Sequence, residues 1–192
     1  MIIMLNGPFG VGKSTVAQLL HDQLPHSMIY DPEIIGIALR DLTLGISTPA
    51  EETDDFQDLA LWPSLTVLVA SQLYQHYRRH LIVPMTIVHP AYFATITAGF
   101  ASISPPLHHF CLVASPATVL ARLGARGSDS TEWPWRKSQH YIPHFADQRF
   151  QIHIDTEQQA PDAVVQIIME HIAHDPQGIL SEPQGPAAGG GP

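Results

Sequence analysis

The stretch that most constrains this chain is residues 6–15, NGPFGVGKST. Gly7, Gly10, Gly12, Lys13 and Ser14 keep the spacing G-x-x-x-x-G-K-S. That pattern carries weight only between a strand and a helix. The short apolar run Ile2–Leu5 precedes it. Ser14–Leu24 follows, with Val16, Leu19 and Leu20 at helical spacing. Glycines in such a loop let successive backbone N–H groups turn towards one anion, and the positive end of the helix points at the same place. Lys13 adds a full charge for β- and γ-phosphates. The Ser14 hydroxyl is suited to be one Mg²⁺ ligand, with water and phosphate oxygens supplying the rest. The loop from Gly7 through Pro8, Phe9, Gly10, Val11, Gly12, Lys13 and Ser14 to Thr15 therefore reads as a cradle for a nucleoside triphosphate.

The rest of the chain repeats the strand–helix alternation. Apolar runs at Ser27–Tyr30, Leu81–Met85, His109–Ala114 and Gln151–Ile154 read as four more buried strands. Helical spacing marks Pro63–His80, Pro116–Arg126 and Pro161–His174, and each opens on a proline suited to a first turn. A further helix follows Asp31 and closes at Arg40. The expectation is an α/β fold, with a five-stranded parallel sheet and helices on both faces. Residues 1–174 form one domain in this reading. Residues 175–192, half of them Gly or Pro, form a disordered tail. The acidic segment Thr43–Asp58 reads as a solvated loop leading into a helix.

In a parallel sheet, ligands meet the C-terminal strand ends. Asp31, in YDPE after the second strand, is placed to orient an acceptor hydroxyl and take its proton, and it also has the pattern of a helix N-cap. Many nucleotide hydrolases carry an aspartate after the third strand, but here LIVPMTIVHP offers Thr86 and His89. The carboxylate role then falls on Asp31. His89 stands either as a helix cap or as a substrate contact, and Arg40 as an acceptor contact or a favourable helix C-terminus. Arg122 and Arg126 lie four apart on one helix, before the Gly/Ser- and Trp-rich segment RGSDSTEWPWRKSQ. Residues 124–140 read as a mobile lid, its arginines neutralising transferred phosphate. Asp155 and Thr156, after the fifth strand, are candidates for the base end of the nucleotide site.

Composition narrows the class further. The formal net charge is −9, and only nine residues are Lys or Arg. A nucleic-acid binder needs a basic face, so none is expected, and neither is electrostatic docking on a membrane. One cysteine, Cys111, forms no internal disulfide and fits core filling. Twelve histidines are present, but none completes a zinc pattern. No leader or spanning run is evident, so a cytoplasmic protein is expected. The oligomeric state is left open, a homodimer included.

The stretches NGPFGVGKST, YDPEIIGIALR, DDFQDLALW, LIVPMTIVHPAYF, HHFCLVAS and HIDT occur in order over roughly residues 1–160. In this they resemble the tunicamycin-resistance protein family of P-loop ATP-binding proteins. LIVPMTIVHP is more specific than the phosphate loop. The resemblance implies a nucleoside-kinase-like P-loop core, ATP with Mg²⁺, and a link to resistance against tunicamycin, a uridine-containing nucleoside antibiotic. By position it places Asp31 where related kinases keep a catalytic or acceptor-binding carboxylate, and Arg122 and Arg126 where they keep lid arginines. Met4 stands where the family pattern leads us to expect tryptophan, and Ser14 where it leads us to expect threonine. The Gly/Pro tail replaces an expected basic, helical C-terminus, so a membrane role is not expected. Three readings follow: phosphoryl transfer to a nucleoside-like acceptor, sequestration of the antibiotic by an ATP-binding protein, and a kinase for an ordinary metabolite.

Overall fold

A computed structural model describes residues 1–150 and 152–174. The tail read from the sequence over 175–192 lies outside the described residues. The five strands are β1 (Ile2–Asn6), β2 (Ser27–Ile29), β3 (His80–Pro84), β4 (Leu107–Val113) and β5 (His153–Asp155). All pairings are parallel, in the order β2-β3-β1-β4-β5. β1 is central and entirely buried. It has no polar face because helices cover both sides of the sheet.

Alternation along β1 divides the core. Ile3 and Leu5 pack with Val16 and Leu20 of α1 (Lys13–Gln23), Val119 and Leu123 of α5 (Pro116–Ala125), and Val165 and Ile168 of α7 (Pro161–His174). Ile2 and Met4 face the other layer. There they meet Leu39 of α2 (Pro32–Leu42), Trp62 and Ala70 of α3 (Trp62–Tyr77), and Ile96 and Phe100 of α4 (Pro90–Ile103). The fold is the expected three-layer, P-loop kinase-like α/β arrangement. Met4, at the position where tryptophan was expected, is fully buried in this second layer.

Two helices are additions to the sequence reading. α4 follows β3 where only a cap at His89 was in question. α6 (Trp133–Tyr141) begins inside the segment read as a lid and ends one residue beyond it. The loop before α3 is also more structured than expected, with a 3-10 turn at Phe56–Asp58. Gly36 of α2 gives Phe56 its place, since a Cβ there would collide with the ring. Phe56 stands edge-on to Trp62 with ring centroids 5.4 Å apart, and Trp62 Nε1 donates to Pro32 O at 3.1 Å. These contacts fix the turn against α2 and thereby position Asp55. Cys111 is fully buried in β4, and burial pushes its thiol up to about 12, as suits a core residue.

Candidate active site

The phosphate loop runs from β1 into α1. Asn6 anchors its start: its Oδ1 accepts from Gly7 N at 2.9 Å and Ile87 N at 3.0 Å, while its Nδ2 donates to Ile87 O at 3.0 Å. One side chain thus ties the loop to the chain beyond β3, a role nothing in the local sequence signals. Gly7 has φ +144°, and a Cβ there would lie 2.5 Å from Leu112 O. Gly12, at φ +113°, is the N-cap of α1 and supplies no side-chain cap. The first amides of α1 are therefore left for an anion. Ser14 and Thr15 follow with exposed side chains.

Lys13 is buried. Its Nζ donates to Gly7 O and Pro8 O, both at 2.9 Å, and lies 5.5 Å from the Phe9 ring centroid. Burial pulls the ammonium down to about 8, although Glu33 and Asp31 draw it upward. Glu33 shows the reverse. Burial, with Asp31 and Asp55 nearby, raises its carboxyl, while Lys13 opposes the rise. Lys13, Asp31, Glu33 and Asp55 form one electrostatic group at the strand ends. Asp31 is half-buried, and its Oδ1 accepts from Glu33 N at 2.9 Å as N-cap of α2.

Two clefts flank this group. One, of about 280 Å³, is lined by Val11, Gly12, Thr15, Arg122, Arg126 and Thr156, among others. Arg122 is fixed in its wall: Nη1 donates to Thr156 Oγ1 at 3.0 Å and Val11 O at 3.2 Å, and Nη2 to Thr156 O at 2.7 Å. This corrects the reading of Arg122 as a lid arginine, because its donors are engaged by the β5 end and the phosphate loop. Arg126 is exposed, lines the same cleft and lowers the Lys13 ammonium, so its charge reaches the phosphate position. Thr156 lines this cleft. Asp155 does not line it; its Oδ1 accepts from Glu157 N at 2.8 Å in a local turn.

The second cleft, of about 390 Å³, opens beyond β3. Its walls include Asp55, Asp58, His89, Tyr92, His140 and Arg149. His89 occupies the N-cap position of α4 but makes no side-chain cap; its ring instead stacks on Tyr92 at 4.1 Å. Thr86 is buried, with its carbonyl accepting from Gln57 Nε2 at 2.8 Å and its hydroxyl making no hydrogen bond among the described residues. Arg40 is placed elsewhere. It is exposed at the far end of α2, nine residues and so about 13 Å of helix rise from Asp31, and it lines neither cleft.

A family model described as an AAA domain matches residues 2–144. Among solved structures, the tunicamycin resistance protein of Deinococcus radiodurans superposes with a TM-score of 0.72 at 30% identity, over 90% of this chain and 95% of that one. The chain belongs to the tunicamycin-resistance protein family of P-loop, AAA-type domains. A gluconokinase from Sinorhizobium meliloti 1021 aligns with TM-score 0.61 and 16% identity, over 88% of this chain and 89% of its own. A shikimate kinase from Acinetobacter baumannii, solved with shikimate, aligns with TM-score 0.56 and 18% identity, over 89% and 92%. At those identities the kinases share the fold alone. No match was found among curated proteins. No described helix is long and apolar enough to cross a membrane.

In this P-loop family member, α6 spans from the phosphate loop to the second cleft. Trp133 meets Phe9 edge-on at 5.1 Å, and Ser138 Oγ donates to Phe9 O at 3.0 Å. At the other end, Lys137 Nζ lies 3.1 Å from Asp54 Oδ1 and 3.3 Å from Asp55 Oδ2, and Tyr141 OH donates to Asp55 Oδ2 at 2.8 Å. Residues 133, 137 and 141 recur every four positions, so one stripe of the helix makes the seat. Burial alone would lower the Lys137 ammonium, but Asp54 and Asp55 outweigh it and hold it above its ordinary value. The loop read as solvated thus contains a carboxylate, Asp55, that is 3% exposed. Lys137→Met leaves that carboxylate without its cation. The expected cost is about 2 kcal/mol of stability, a little under the range for breaking a fully buried pair. Thermal melts would check this. Acrylamide quenching of Trp133 should rise, read in a chain with Trp62 and Trp135 replaced by Phe. Unchanged quenching would show that the pair does not hold α6 down.

Proposed function

We propose that this protein transfers the γ-phosphoryl group of ATP to a hydroxyl of a small molecule, with tunicamycin or a similar nucleoside antibiotic as the favoured acceptor. The observations that support the proposal are an uncapped helix N-terminus with Lys13, the half-buried carboxylate of Asp31 within electrostatic reach of that ammonium, and an open cleft beyond β3. The acceptor follows from the family alone.

In this reading the amides at the start of α1, from Gly12 to Thr15, hold the phosphates, with the base end in the cleft walled by Arg122 and Thr156. Lys13 and Arg126 balance charge on the β- and γ-phosphates. Mg²⁺ fits the donor set: Ser14 offers an exposed hydroxyl after the lysine, and this ion takes few protein ligands. When bound, it neutralises phosphate charge. Asp31 orients the acceptor hydroxyl and receives its proton. The acceptor oxygen then bonds to the γ-phosphorus as the bond to the β–γ bridging oxygen breaks, leaving ADP. His89 and Tyr92 offer a flat surface for a ring of the acceptor.

Sequestration without chemistry is favoured by one observation, the absence of a carboxylate after β3, where Thr86 stands. Mass spectrometry of tunicamycin incubated with protein and MgATP separates the two. Gain of one phosphoryl group supports transfer. Unmodified drug that nonetheless co-elutes with the protein supports sequestration.

A further inference from the structure

We propose that the cleft beyond β3 selects acceptors by charge, admitting hydroxylated compounds without an anionic group and excluding carboxylates and phosphate esters, with Asp58 and Asp55 setting the sign. This rests on the reading of that cleft as the acceptor site.

The argument is an account of every Lys and Arg in the chain. There are nine. Lys13, Arg122 and Arg126 belong to the phosphate loop and the nucleotide cleft. Arg78 is the C-cap of α3, and Arg79 follows it just before β3 begins, at the opposite end of the sheet from the ligand edge. Arg40 closes α2 on the surface, and Arg136 is exposed on α6 outside the cleft walls. Lys137 is held by Asp54 and Asp55. Arg149 does line the cleft, but its Nη2 lies 2.8 Å from Asp147 Oδ2, which lines it too. Arg149 is thus the one Lys or Arg in the cleft walls, and it already has a carboxylate beside it.

Carboxylates, by contrast, are in excess. Asp58 lines the cleft with a hydroxyl neighbour, Thr53 Oγ1 at 2.8 Å from its Oδ2, and among the described residues no cation is paired with it. Lys137 is shared between two aspartates. The phenol of Tyr92 reports the same sign: burial raises it, and Asp58 and Asp55 raise it further. A carboxylate or phosphate entering this space would face like charge in a partly desolvated setting. His89, His140 and His144 are the remaining source of positive charge in the walls. The comparisons below are made at pH 8.

The sign of the cleft can be read without knowing the acceptor. His144, exposed in the cleft wall, is replaced by Cys; the native Cys111 is buried and serves as the unreactive control. Its rates with the cationic trimethylammonioethyl and anionic sulfonatoethyl methanethiosulfonates are divided by the rates with a free small thiol. The expected cation preference is at least about tenfold at pH 8, falling below about threefold when Asp58→Asn is added. Equal rates, or an anion preference, would overturn the proposal. A second arm uses matched pairs with the nucleotide site filled by a non-hydrolysable ATP analogue: uridine against uridine 5′-phosphate, and methyl shikimate against shikimate. Tighter binding of either anionic member also overturns it; where neither member binds, the thiol rates decide. Failure of phosphoryl transfer to every compound, with the cation preference intact, would sink the kinase reading and leave the charge selection standing.

Discussion

Replacing Lys13 with methionine will weaken MgATP binding by about 100-fold, or ~2.7 kcal/mol, while leaving the fold intact. In the free protein the ammonium is tied to Gly7 O and Pro8 O, so it is already inside the loop that phosphates would fill. Methionine has a similar length and no charge, and it suits a position that is only 8% exposed. The loss therefore falls on binding rather than on stability. A pH dependence comes with it. The free-state ammonium titrates at about 8, and bound phosphate raises that value because it favours the charged form. Affinity is accordingly level below pH 8. Above it, affinity falls by about tenfold per pH unit until the bound-state value is reached. In Lys13→Met this slope disappears. Calorimetric titration from pH 6.5 to 9.5 measures both effects. Retention of wild-type affinity by the variant, or a flat wild-type profile across pH 8 to 9, would remove Lys13 from the phosphate site.

That site was readable because its information is contiguous. Ten adjacent residues specify strand end, turn and helix start, and no distant partner is needed to interpret them. The central strands were readable for a related reason: two-sided burial leaves an uninterrupted apolar run, as in Ile2–Leu5 and Leu81–Met85. α4 was not, because its sequence PAYFATITAGFASI is apolar or small nearly all round and shows no stripe. Its Thr97 hydroxyl bonds back to Phe93 O at 2.7 Å, and Gly99 allows Val67 of α3 to press close. Both facts depend on packing.

Asp55 was misread for a deeper reason. An acid in TPAEETDDFQD looks solvated until Tyr141, 86 residues away, is brought onto it. Arg122 was likewise assigned from its spacing to Arg126, whereas its geometry is decided by Thr156. Charged residues tell little about their partners from local sequence, since the partner is a product of the fold. The functional surface beyond the phosphate loop is built from such pairs, and this is why the nucleotide half of the site was legible and the acceptor half was not.

Asp31→Asn will leave MgATP affinity within about threefold of wild type and lower turnover by 10²–10⁴-fold, the range for loss of a positioned general base. The structural role of Asp31 makes this substitution a clean one. Its Oδ1 accepts from Glu33 N, and asparagine caps helices about as well as aspartate, so α2 is preserved. Asp31→Ala would confound the result, because cap loss alone costs about 1 kcal/mol. The charge change is the only intended difference, and it has a second readout. Asp31 is one of the groups that draw the Lys13 ammonium upward, so in Asp31→Asn the break in the pH profile of MgATP binding moves below its wild-type position near 8. A shifted break with unchanged turnover would place Asp31 beside the phosphates as a capping and electrostatic residue only, and would transfer the proton-accepting role to Glu33. Its half-buried carboxyl, with a raised tendency to hold a proton, already sits within the fields of Lys13, Asp31 and Asp55.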